Sequence, residues 1–130
     1  MNNAISALPA ALGRLLISGL FLFAGVGKLM APADTKAYIA SAGLPFPDLA
    51  YIGAVIIEVG FALALLVGYR TRMVAAVLAV FTVVTAFAFH FHFSDENQLI
   101  HFLKNLAIAG GLLQVLAAGG GDYSVDARKR

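Results

Sequence analysis

The chain has 130 residues, of which 61% are hydrophobic and only 12% charged, with a formal net charge of +2 and a mean hydropathy of +0.88. A soluble domain carries about twice that share of charge, and one small core cannot hide so much apolar surface, so the composition requires an integral membrane protein solvated by lipid. Basic residues stand singly except at Arg128, Lys129 and Arg130, which argues against nucleic-acid binding, and the lack of cysteine excludes thiol–disulfide exchange, thiolate-held iron–sulfur clusters and structural disulfides.

The first segment, MNNAISALPAALGR, lacks a basic n-region and is interrupted by Arg14, so it reads as retained and not as a cleaved signal peptide. A first span is expected over Leu8–Met30. Within it Arg14, Ser18, Phe21, Gly25 and Lys28 form one stripe. The two cations lie ~21 Å apart along the axis and within ~40° of the same face. Charge, small residues and one aromatic on a single stripe mark the face that turns toward other helices and away from lipid.

The connection ADTKAYIASAGLPFPDLA is the longest. Asp34 or Thr35 is expected to cap a short helix over Lys36–Ser41, with Tyr38 and Ile39 facing the membrane and Gly43 ending it. Leu44-Pro45-Phe46-Pro47 then runs extended. Such a helix would lie at the interface over the outer mouth of the bundle.

A second span is expected over Leu49–Tyr69, with Glu58 ~13.5 Å from one edge and ~16 Å from the other. An acid near the midplane costs ~2.5–3.5 kcal/mol even on a lenient scale, so it must be protonated, paired or facing water. It either fixes packing through an interhelical bond or serves a ligand, and both readings stand at this stage. Arg70-Thr71-Arg72 is a tight turn that predicts antiparallel neighbours.

The third span, Met73–His92, carries Thr82, Thr85, Phe89 and His92 on one stripe, with His90 about 200° from His92. Only one histidine can then face the interior, and His90, which follows Val83 and Ala86, is favoured. After a polar loop, the fourth span, Leu99–Ala118, places His101, Lys104 and Asn105 on one face at i, i+3 and i+4. Lys104 and His101 would either line the interior or snorkel to the headgroups, while Asn105 suits an interhelical hydrogen bond. The remainder, 119–130, reads as a flexible basic tail.

The expected fold is therefore all-α, one antiparallel four-helix transmembrane bundle forming a single domain, with a short interfacial helix in the first outer loop. Arg14, Arg70, Arg72, Arg128, Lys129 and Arg130 lie on one side and Lys28, Lys36 and Lys104 on the other, so the positive-inside rule places both termini in the cytoplasm. His90, His92 and His101 do not have metal-site spacing, because a His-x-His pair suits a strand better than a helix face. There is no nucleophile elbow, phosphate loop or paired-carboxylate pattern, so soluble-type hydrolysis and phosphoryl transfer are not supported.

The sequence resembles the DoxX family of small four-helix bacterial membrane proteins. The resemblance rests on Arg14, Phe21, Gly25 and Lys28, then Leu44-Pro45, Glu58 and Gly60, then Gly68 with Thr71-Arg72 and His90. It continues through Asn105, Gly110-Gly111 and the tail pattern Gly119-x-Gly121-x-x-Ser124-x-Asp126. Membership implies an inner-membrane location and an association with electron transfer or oxidative stress, some relatives resembling membrane subunits of thiosulfate:quinone oxidoreduction and others acting through detoxifying partner proteins.

Depth counting puts Arg14 ~9 Å and Glu58 ~16 Å from the inner edge, and Lys104 ~8–9 Å below the outer edge. Two expectations follow. Lys28, Glu58, His90, Lys104 and Asn105 would line an outer-half pocket for a quinone headgroup or another small polar ligand, with no covalent cofactor, and Arg14 would pair with Glu58 as a structural ion pair. Alternatively, the chain is a non-enzymatic scaffold or assembly factor that docks redox enzymes through the Arg70–Arg72 turn and the tail. The lipid bilayer is the certain partner, and a homo-oligomer is left open.

Overall fold

The computed structural model describes residues 3–128; Lys129 and Arg130, counted above with the basic tail, lie outside them. Among the described residues the chain is helical with no strand. Four helices are long and apolar enough to cross a membrane: α1 (Asn3–Met30), α3 (Pro47–Val67), α4 (Thr71–Phe89) and α5 (Glu96–Ala118). A short α2 (Pro32–Ser41) follows α1 directly, and a single turn, α6 (Val125–Arg128), closes the described chain.

Local chemistry sets these boundaries. Proline in the first turn starts both α2 and α3, where its missing N–H costs nothing. No side chain caps α2; Ala31 precedes it, and Thr35, expected as a cap, bonds back to the Ala31 carbonyl at 2.8 Å. Gly43 ends α2 at φ +84°, as the pattern predicts. The turn between α3 and α4 is Gly68–Arg70, shifted from Arg70–Arg72, because Gly68 takes φ +76° and ends α3 earlier. Asp95 caps α5 by accepting from Asn97 N at 2.9 Å.

The stripe on α1 turns inward as expected, with Arg14, Ser18, Phe21 and Gly25 all buried. Outside it, Leu16, Phe23, Leu49, Val80 and Leu113 are exposed, which is the lipid-facing surface of a membrane protein and not a fault in packing. The core gathers Phe21, Ala62, Leu65, Val74, Ala75, Leu78, Ala79 and Leu112. Apart from Phe21 of α1, these residues occupy the second half of α3, the first half of α4 and the second half of α5. That half, here the tail end, is solid. The other half, the loop end, holds the last turns of α1, the start of α3, the end of α4 and the start of α5.

The tail itself departs from expectation. Instead of hanging free, residues 119–128 pack back over the tail end. Asp126 accepts from Arg70 N at 2.7 Å and Thr71 N at 2.8 Å, capping α4, while its own N–H donates to Gly68 O at 2.9 Å. Ser124 is buried so tightly against Gly68 that a Cβ there would collide with its side chain. The reason is a helix-end requirement: orphan N–H and carbonyl groups need partners, and this polar segment supplies them.

Candidate ligand-binding site

The site begins with a close approach. Gly25 on α1 lies against α3 so tightly that an added Cβ would sit 2.6 Å from Val59 Cγ2 and 3.0 Å from Glu58 Cβ. At the same level α3 changes from α to one π-helical stretch, Ile56–Phe61, before returning to α at Ala62. Such a bulge inserts a residue into the turn and re-aims the side chains there, and it is common at functional sites. Here it carries Glu58. The carboxylate is delivered to Lys28, whose Nζ lies 2.9 Å from Oε1 and 2.9 Å from Oε2.

This pair corrects the expected one. Arg14 does not reach Glu58: its Nη1 donates to the carbonyls of Leu65 at 3.1 Å and Leu66 at 2.8 Å, and its Nη2 to that of Tyr123. Leu65 and Leu66 belong to the last turn of α3, where a cation is favoured; the Leu65 carbonyl also accepts from Gly68 N at 3.1 Å. A planar guanidinium with several donors can serve three carbonyls at once. Lys28 reaches Glu58 because its four-carbon stem spans the distance from its Cα.

Around the pair lies a cavity of about 470 Å³, within the range of small-molecule sites. Leu20, Phe21, Ala24 and Lys28 of α1 form one wall, with Ala50, Ala54 and Glu58 of α3 opposite. From α4 come Thr82, Thr85, Phe89 and His90, and from α5 Asn105 and Ile108. Asn105 Nδ2 reaches Thr82 O and Thr85 Oγ1, each at a long 3.4 Å, so its amide is held loosely and stays available to a further partner. His90 Nδ1 is hydrogen-bonded to Gln98 Oε1 at 2.9 Å, and its ring stacks on His101 with centroids 5.0 Å apart.

Of the five expected lining residues, Lys28, Glu58, His90 and Asn105 meet on this cavity. Lys104 does not: it is exposed, one position round the helix from Asn105, which takes it to the outer surface. The threonine stripe and His90 share the cavity although a helical wheel separates His90 from His92, because α4 ends at Phe89. His90 has φ −126° and no longer follows the 100° step. His92 is exposed. Of the two α2 residues expected to face the membrane, Ile39 is buried, while Tyr38 stays half exposed, stacks its ring on Phe89 at 5.1 Å and lines the cavity. An isolated tyrosine in a loop-like stretch gave no periodic signal to reveal this role.

A family profile described as DoxX matches residues 10–91. The chain belongs to the DoxX family. It is 40% identical to the inner membrane protein YqjF of Escherichia coli K12 over 87% of this chain and 85% of that one. It is 35% identical to the inner membrane protein YphA of the same organism, over 90% and 87%. No solved structure matches it. With its four spanning helices, this DoxX protein is a multi-pass inner-membrane protein in contact with the lipid bilayer.

Proposed function

We propose that this DoxX protein binds a small polar ligand, of which a quinone headgroup is the best fit, in the cavity beside Lys28 and Glu58, and acts as a membrane subunit in redox or oxidative-stress metabolism. One observation carries the reading: a carboxylate–ammonium pair, set by a π-helical stretch, faces open space instead of packed side chains. A pair that served packing alone would be enclosed, because an interior void forfeits contacts without return.

The lining suits an oxygen-bearing ring. Lys28 Nζ and Asn105 Nδ2 are donors for two ring oxygens, and Phe21, Phe81 and Phe89 offer apolar faces. Glu58 and His90 are the groups able to take or give a proton when the bound ring is reduced or reoxidised by a partner enzyme. The chain has no cysteine, so any electron transfer belongs to a bound cofactor or to a partner. The cations at the tail end, Arg14, Arg70, Arg72 and Arg128, support a cytoplasmic placement of that end and of both termini, with the cavity in the outer half of the bilayer.

The scaffold alternative has less support at its expected docking surface. Arg72 Nη1 is engaged with the carbonyls of Leu116 at 3.2 Å and Ala117 at 2.8 Å, and Arg70 lies 5.7 Å from the Tyr69 ring. The test is purification in native lipid followed by solvent extraction and mass spectrometry. A quinone should accompany the wild-type protein, disappear in Glu58→Gln and Lys28→Ala, and persist in Lys104→Ala. Retention of the same small molecules by all four proteins, or of none by the wild type, refutes the reading.

A further inference from the structure

The cavity is closed at the loop end and open at its side. Its cover is α2: Thr35, Tyr38, Ile39 and Leu44 line the cavity from above, and α2 rests on the first half of α3. Two contacts, both through Lys36, hold it there. Lys36 pairs with Asp48 at 3.4 Å and lies 5.2 Å from the Tyr51 ring, while Tyr51 Oη donates to Lys28 O at 2.9 Å. Access from the aqueous side is therefore covered by a docked helix.

The side wall differs. α3 and α4 pack together from Ile56 toward the tail end, but over Pro47–Val55 the two helices scarcely meet. The residues that flank this gap are small or half outside: Ala50 and Ala54 on α3, Val84 and Ala88 on α4. Val84 lines the cavity and is still 57% exposed, so the cavity wall and the outer surface coincide at that side chain. Gly53, next to Ala54, has nothing within 4 Å of where a Cβ would stand. Ala54 lies seven residues inside α3, ~10 Å below its start, and Val84 five residues before the end of α4, ~8 Å, so the gap opens at the depth of hydrocarbon.

The charge of the lining adds a second constraint. Among the described residues, the formally charged side chains lining the cavity are Lys28 and Glu58, and each already neutralises the other. A phosphate-bearing head would enter a site with no cation to spare for it, and stripping its hydration there is costly.

We propose that the ligand is a membrane-borne amphiphile with an uncharged polar head and a long apolar chain, which enters sideways from the bilayer between α3 and α4 and leaves its chain in that gap. The proposal rests on the cavity reading above and specifies its substrate class and route. It places water-soluble solutes and anionic phospholipids outside the range of ligands.

Stopped-flow binding to the full-length protein in nanodiscs tests it, using a benzoquinone with a ten-carbon chain and the same benzoquinone without one. Narrowing the gap with Ala54→Phe, or with Val84→Trp, which is built outward and spares the interior if the first variant misfolds, should slow uptake of the chained form at least tenfold more than that of the chainless form. Equal effects on the two forms, or no effect on either, overturn the side entry while leaving the cavity reading intact. Failure of the wild type to bind either form removes both. Displacement of the chained form by phosphatidylglycerol at comparable membrane concentration would overturn the uncharged head.

Discussion

Two cations on one stripe of α1 meet opposite fates. Arg14, near the tail end, is 2% exposed and surrounded by carbonyls; Lys28, near the loop end, meets a carboxylate beside a cavity. Both are charges in a spanning helix, Arg14 buried and Lys28 partly so, a signal that by itself marks function. The surroundings separate them. Arg14 joins the last turn of α3 to the C-terminal segment, in a region where Leu65, Leu78 and Leu112 leave no space. Its two terminal nitrogens are taken up by backbone carbonyls of the fold. Lys28 and Glu58 satisfy each other where the bundle is hollow, so their remaining capacity faces the cavity. The lesson is that depth and charge locate a polar residue, whereas the space beside it decides what it is for.

The tail end is consistent with this division. Arg14 and Arg72 each place a cation on the final carbonyls of a helix, α3 and α5, and Asp126 places a carboxylate on the first N–H groups of α4. Each charge has the sign that the helix terminus favours. What space remains there is a groove of about 730 Å³ between the start of α4 at residues 70–73 and the Gly119–Gly121 run, bordered by charges of both signs.

The contrast is broken most forcefully at Arg14. Arg14→Ala strips the Leu66 and Tyr123 carbonyls of the guanidinium, leaves Leu65 O with Gly68 N alone, and should cost roughly 2–5 kcal/mol, since each buried group left unsatisfied costs about 1–3 kcal/mol. Denaturant titration in mixed micelles measures it, and Arg14→Lys should recover less than half, because one ammonium cannot reach all three carbonyls. A loss under 1 kcal/mol would mean that this end is not the structural one.

Gly25→Val comes next. Its added carbons meet Val59 and Glu58, and overpacking of this kind costs about 1–3 kcal/mol. The same variant pushes α1 away from α3, so quinone retention should fall along with stability; ligand binding unchanged would separate the pair from the cavity. Asp126→Ala removes the cap of α4 and should cost about 1 kcal/mol, with faster hydrogen exchange at Arg70 and Thr71 and no change in bound ligand. Lys104→Ala is the smallest, within about 0.5 kcal/mol, because the side chain is exposed and lies outside the cavity. A larger effect would return Lys104 to the site.

Pattern alone determined the membrane class, the four spans and the inward stripe of α1, because hydrocarbon solvation and helical period are properties of a single segment and need no knowledge of its neighbours. It also selected Glu58, Lys28, His90 and Asn105, since polar residues at membrane depth stand out against so apolar a chain. Only the tertiary structure decided which cation meets Glu58, that Lys104 points outward, that Tyr38 covers the cavity and that the tail is bound. Those outcomes depend on a π-helical shift at Ile56–Phe61, the close approach at Gly25 and the end of α4 at Phe89. Each moves side chains by an amount that ideal 100° and 1.5 Å steps cannot supply, and each arises from how helices pack against one another.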